Sequence, residues 1–313
     1  MNTKDYFNNN DLKNNNWQDR TYINNQKDYK SKYYKYKKKY LDLKAGSGIV
    51  EEFKTMPLLS FGTAQGTIDT LKDRIKQALE TGYRHLDIKE RYAGLLKISV
   101  DVYLDAIKQS IQESGIPRKE LWITWNGNNI ERIIELLNCD YIDTLIGNNL
   151  EELNLLKDRG IIKNIAVENI YNFEEIVRLK ERYRINTLQI QGHIKNEELI
   201  EKCNSIGIKV QLYGIMSSFK NYLFDNFDVF DDPNIQYVYQ NIVSYYMFKY
   251  MKNKGNVIVV SSVNGDSIPV NMELYNKIIS GSINNETIDI ERIETILKKI
   301  GDKMPDMGFG TLY

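Results

Sequence analysis

From Gly46 onward, short apolar runs alternate with stretches whose apolar residues recur at helical spacing, and the alternation repeats eight times. Parallel strands need a long crossover between them, usually a helix, so this rhythm is that of βα units in a parallel sheet. Strands are expected at 58–63, 83–88, 121–124, 141–146, 162–167, 187–191, 209–213 and 257–261. The stripe Ile68, Leu71, Ile75, Ala78 and Leu79 marks the first crossover helix, and Val100, Leu104, Ile107 and Ile111 mark the second. A longer loop at 215–233 precedes the helix bearing Val238, Ile242 and Tyr245. Helices near 272–279 and around Ile293, Ile296 and Ile300 finish the chain. Eight such units close into a (β/α)8, or TIM-type, barrel, whose site forms at the C-terminal ends of the strands.

A chain of 313 residues leaves an appendage beyond the about 250 residues such a barrel needs. The appendage is the Asn/Tyr/Lys-rich segment 1–45, and the body is 46–313. Residues 1–44 hold eleven Lys and Arg against five Asp, so the neutral total hides a basic tail on an acidic body. Low aliphatic content predicts disorder to about residue 27. Beyond it, Tyr29, Tyr33, Tyr36, Tyr40 and Leu43 share one helical face, leaving lysines opposite. That face suits nucleic acid or another polyanion, whereas the plainer reading is a solvated, partly helical tail. A charge run is ordinarily solvated, which favours the second. Two cysteines make no disulfide framework, and neither a membrane-spanning run nor a signal-peptide core stands out, so a soluble intracellular protein is expected. No His/Cys spacing calls for a metal.

The functional signal concentrates in Gly82-Tyr83-Arg84-His85-Leu86-Asp87, with Tyr92 five residues on: a buried strand ending in a carboxylate, then a phenol. Upstream stand Met56-Pro57 and Phe61-Gly62-Thr63. Alone, Asp87 and Tyr92 read as a cap and a surface aromatic. Together with their surroundings, they resemble the aldo-keto reductase family over most of 56–300. The resemblance implies hydride transfer from a nicotinamide dinucleotide, NAD(H) or NADP(H), to a small carbonyl substrate. It implies Tyr92 as general acid, supported by Asp87. It also implies a cofactor cleft at Gly62, Thr63, Asn169 (in Ala166-Val167-Glu168-Asn169, with Glu168 where the family has Ser), Gln189 and Tyr213, with Ser262 and Asn271 at the far end.

The departures from the family pattern are as informative. Asn126 stands where the family has the Lys that acidifies the phenol, and Asn148 where it has the His that orients the carbonyl. Ser261 and Ser267 replace the two cations that hold the 2′-phosphate of NADPH, so NADH is favoured. His85 and His193 read as structural residues. Lys89 and Arg91 follow Asp87 on what reads as a loop, where cations usually point to water. The expectation is therefore a site without its positive charge: a catalytically impaired homologue that keeps a dinucleotide cleft. The alternatives are an active oxidoreductase using an unusual cation, and an interaction protein acting through its tail.

Overall fold

The structure, a computed structural model, describes residues 55–64, 66–216, 232–252, 254–261, 265–283 and 288–301. Segment 1–45, Ser262, most of the 215–233 loop and the C-terminal 302–313 lie outside the described residues.

Eight parallel strands close into one barrel in chain order. They are β1 Leu59–Gly62, β2 His85–Lys89, β3 Trp122–Asn126, β4 Ile142–Ile146, β5 Ile162–Glu168, β6 Thr187–Gln191, β7 Lys209–Tyr213 and β8 Val257–Val260. Pairing of β1 with β8 seals the ring, with Ser60 opposite Val259. The crossover helices are α1 Ile68–Thr81, α2 Arg91–Leu95, α3 Val100–Glu113, α4 Ile130–Leu136, α5 Leu150–Asp158, α6 Phe173–Tyr183, α7 Glu197–Ser205, α8 Pro233–Tyr246, α9 Ser267–Ile279 and α10 Ile290–Gly301. Their apolar stripes, such as Leu71, Ile75, Ala78 and Leu79 of α1, are buried against the outside of the sheet. Side-chain caps start several of them: Thr67 for α1, Ser99 for α3 and Asn149 for α5. Asn149 sits directly before α5, so the β4–α5 connection is as short as the sequence suggests. No helix among the described residues is long and apolar enough to cross a membrane.

Two differences from the sequence reading stand out at the mouth. β2 runs one residue beyond Ile88, and β3 runs two beyond Thr124, so Lys89 pairs in register with Asn126. Neither Lys89 nor Tyr92 sits on a free loop. The strand carries Lys89, and the five-residue α2 carries Arg91 and Tyr92.

Candidate active site at the barrel mouth

Side chains alternate along a strand, so His85, Asp87 and Lys89 share one face, and that face is the barrel interior. Lys89 is 0% exposed. Its Nζ donates to Glu168 Oε2 at 2.9 Å and lies 4.8 Å from the centroid of the Tyr213 ring. The expectation of a mouth without positive charge is therefore wrong. A loop lysine would be free to point at water; the last residue of a barrel strand, in phase with a buried aspartate, is not. Glu168 is the other half of the arrangement. Burial pushes its carboxyl up, but the Lys89 ammonium, the neighbouring Asn126 amide and Arg91 more than offset that, leaving it below the usual range. Asn126 does not supply a charge; it lies beside the carboxylate that holds Lys89.

Asp87 is 1% exposed. Burial raises its pKa, and the Lys89 ammonium and the Gln189 amide work against that rise. Gln189 Nε2 donates to Asp87 Oδ1 at 2.9 Å and to Gln211 Oε1 at 3.0 Å. Its own Oε1 is buried without a donor. The line continues down the barrel axis. Gln211 Nε2 reaches Thr124 Oγ1 at 3.5 Å, Thr124 meets His85 Nε2 at 2.8 Å, and His85 Nδ1 meets the Pro57 carbonyl at 3.1 Å. A carbonyl only accepts, so Nδ1 carries the proton and His85 is a satisfied core histidine. His193 is structural too: its Nδ1 accepts from the Lys195 backbone N–H at 3.2 Å.

Burial pushes the Tyr92 phenol up to about 12, the Asp87 charge adds to the rise, and Arg91 works against both. The Arg91 guanidinium lies 5.6 Å from the Tyr92 ring centroid and within hydrogen-bonding reach of its hydroxyl. Behind them stands Tyr103 of α3, which the sequence reading missed because it looks like any aromatic on a buried helical stripe. Its hydroxyl is 2.6 Å from Thr63 Oγ1, which donates to the Asp87 carbonyl at 3.0 Å. Thr63 thus braces the backbone of Asp87.

The remaining expected residues fall in three places. Asn169 and Tyr213 are together at the mouth: Tyr213 donates to Asn169 Oδ1 at 2.9 Å, and Asn169 holds a positive φ of 56°. Gly62 ends β1 against β8, where an added Cβ would come 3.3 Å from Val259 Cγ1. Asn148 is exposed and Asn271 is buried in the helix layer against Tyr83. At the β8 end, where the sequence offers only serines, Arg74 of α1 comes up to the turn: Gln77 Oε1 accepts from its Nη1 at 3.0 Å, and Gln77 Nε2 donates to the Gly265 carbonyl at 3.4 Å. Among the described residues there is no group of three or more His, Cys, Asp or Glu that could hold a metal ion.

The donor set fits a nicotinamide at one point in particular. The orphaned Oε1 of Gln189 is an acceptor suited to an amide NH2, and the Tyr213 ring and Asn169 amide lie at neighbouring strand ends.

Comparison with known proteins concerns the chain as a whole and its barrel fold. No family model matches the chain. Aldo-keto reductase AKR2E4 of Bombyx mori is 24% identical over 266 residues, covering 71% of this chain and 84% of that protein. Aldose reductase C of Dictyostelium discoideum is 23% identical over 290 residues, covering 77% and 86%. Among solved structures, an aldo-keto reductase enzyme from a Medee basin deep-sea metagenome library matches with a TM-score of 0.60 at 19% identity, covering 84% of this chain and 98% of that one.

Proposed function

We propose, taking the chain as an aldo-keto reductase by its sequence relatives and its barrel, that it is an active oxidoreductase that reduces carbonyl compounds with a nicotinamide dinucleotide. The observation that carries this reading is the buried Lys89 ammonium beside Asp87, held by Glu168 at 2.9 Å. It puts a cation from β2 beside the aspartate that, by the resemblance, holds a cation from β3. Lysine-to-asparagine at 126, serine-to-glutamate at 168 and a lysine at 89 then make sense as one rearrangement. The reading of an impaired homologue rested on an absent lysine and an absent histidine; Lys89 answers the first, and Asn148 still stands in place of the second.

Gln189, Asn169 and Tyr213 are the residues that would hold the nicotinamide, and the dinucleotide supplies the hydride when bound. The rest falls to the chain. Tyr92, its phenol raised to about 12, is fully protonated at neutral pH and faces the carbonyl oxygen as proton donor. As the proton leaves, negative charge develops on its oxygen. Arg91 beside the ring is the fixed cation that stabilises that charge, and Lys89 acts through the buried Asp87 next to it. Glu168 holds Lys89 in place at 2.9 Å.

The raised phenol sets a pH dependence. Reduction uses the protonated form, present throughout the range below about 12. Alcohol oxidation uses the phenolate, so its rate is expected to rise about tenfold per pH unit from neutrality upward while reduction stays flat. A rise in oxidation that levels off near pH 8 would show that another group is the acid.

The nucleotide preference is expected to run toward NADH. At the β8 end, Ser261 and Ser267 offer hydroxyls, and Arg74 is engaged with Gln77. Titration followed by tryptophan fluorescence should show NADPH binding no tighter than NADH. Tighter NADPH binding would point to Arg74 as a phosphate ligand. The single test of the whole reading is turnover of a reactive aromatic aldehyde that disappears in Tyr92→Phe.

A further inference from the structure

We infer that Arg91 selects carbonyl substrates with a carboxylate next to the carbonyl, that is, 2-oxo acids, by pairing with the carboxylate while Tyr92 faces the adjacent oxygen; this rests on the reductase reading above. Arg91 is the first residue of α2, two positions beyond the end of β2, and its side chain is exposed. Its guanidinium is 5.6 Å from the ring centroid of the proposed proton donor. Among the described residues no carboxylate lies within ion-pair distance of it: the nearby Glu168 is instead paired with Lys89 at 2.9 Å. A cation at the mouth, beside the acid and without an ion-paired carboxylate among the described residues, is placed to meet substrate.

The chemistry of the group narrows the class. A planar guanidinium matches a carboxylate with two parallel N–H···O bonds, which fixes orientation as well as position. Orientation is what this mouth needs, because an exposed Asn148 at the β4 end stands where the family has its histidine. A substrate whose carboxylate is clamped by Arg91 presents its neighbouring carbonyl to Tyr92 in a fixed pose, which is where positioning contributes to rate. The charges of Asp87 and Glu168 oppose a free anion, so the selectivity comes from the two-point bond and not from a general positive field.

Oxamate, a 2-oxo acid analogue that resists reduction, separates this inference from the reading beneath it. Calorimetric titration of the full chain saturated with reduced nucleotide should show oxamate binding about 10²-fold tighter than neutral oxamide. Arg91→Gln should erase that preference, and Arg91→Lys, which keeps charge but loses the fork, should restore only part of it. Equal affinity for the two ligands in the wild-type protein, or a preference that survives Arg91→Gln, overturns the inference. Oxamate preference without reduction of phenylglyoxylate upholds the Arg91 site while removing the reductase reading. Reduction of benzaldehyde without any acid preference does the reverse.

Discussion

Replacing Tyr92 by Phe is expected to slow reduction of a reactive aromatic aldehyde by about 10²- to 10⁴-fold, the usual worth of a positioned acid, with nucleotide affinity almost unchanged. The substitution removes one hydroxyl from a half-buried ring on α2 and leaves the ring's packing in place. Because Arg91 reaches that hydroxyl and Asp87 raises its pKa, the loss should appear in kcat more than in KM. Tyr103 is another phenol close to Tyr92, but its hydroxyl is bonded to Thr63 at 2.6 Å and buried. Tyr103→Phe should therefore cost far less activity. If Tyr92→Phe reduces aldehyde at the wild-type rate, Tyr92 is not the donor.

The second large effect is expected from Lys89. Lys89→Met strands the Glu168 carboxylate without its 2.9 Å partner and removes the cation beside buried Asp87. Breaking a buried pair costs about 3–5 kcal/mol. Glu168 keeps 23% of its side-chain surface exposed, which favours the lower end. Thermal unfolding should fall by several degrees, at about 2–4 °C per kcal/mol for a domain of this size. The double variant Lys89→Met/Glu168→Leu leaves no orphan at 168 and should recover most of the stability. It should not recover turnover, because the ammonium is still missing. A single variant that melts with the wild type would mean the pair is solvated and structurally idle.

The barrel was legible from the alternation of apolar runs and helical stripes because each strand is buried on both faces and each helix on one. β6 and β7 begin and end where the apolar pattern does. The mouth was legible only in part. Asp87 and Tyr92 stand out through the motif by which they resemble the family, and the structure brings both to the end of β2. Lys89 is hidden because the apolar pattern of β2 ends at Ile88, and a lysine there looks like the start of a loop. A signal was present in the alternation: His85, Asp87 and Lys89 are two residues apart, so a buried aspartate implies a buried lysine if the strand continues. What the sequence cannot show locally is the reason it continues, since the carboxylate that pairs with Lys89 lies 79 positions further along the chain. α2 was missed for a different reason. Its five residues are too few for a helical stripe, its N-terminus has no side-chain cap, and Gly94 sits within it.

The most direct test is a single turnover: protein preloaded with whichever reduced nucleotide it binds is mixed rapidly with p-nitrobenzaldehyde, and the nucleotide's absorbance is followed. The expected result is loss of the reduced form in the wild-type protein and a markedly slower loss in Lys89→Met/Glu168→Leu. Nucleotide that stays bound and reduced in the wild-type protein would contradict the assignment of Lys89 as the working cation of a reductase.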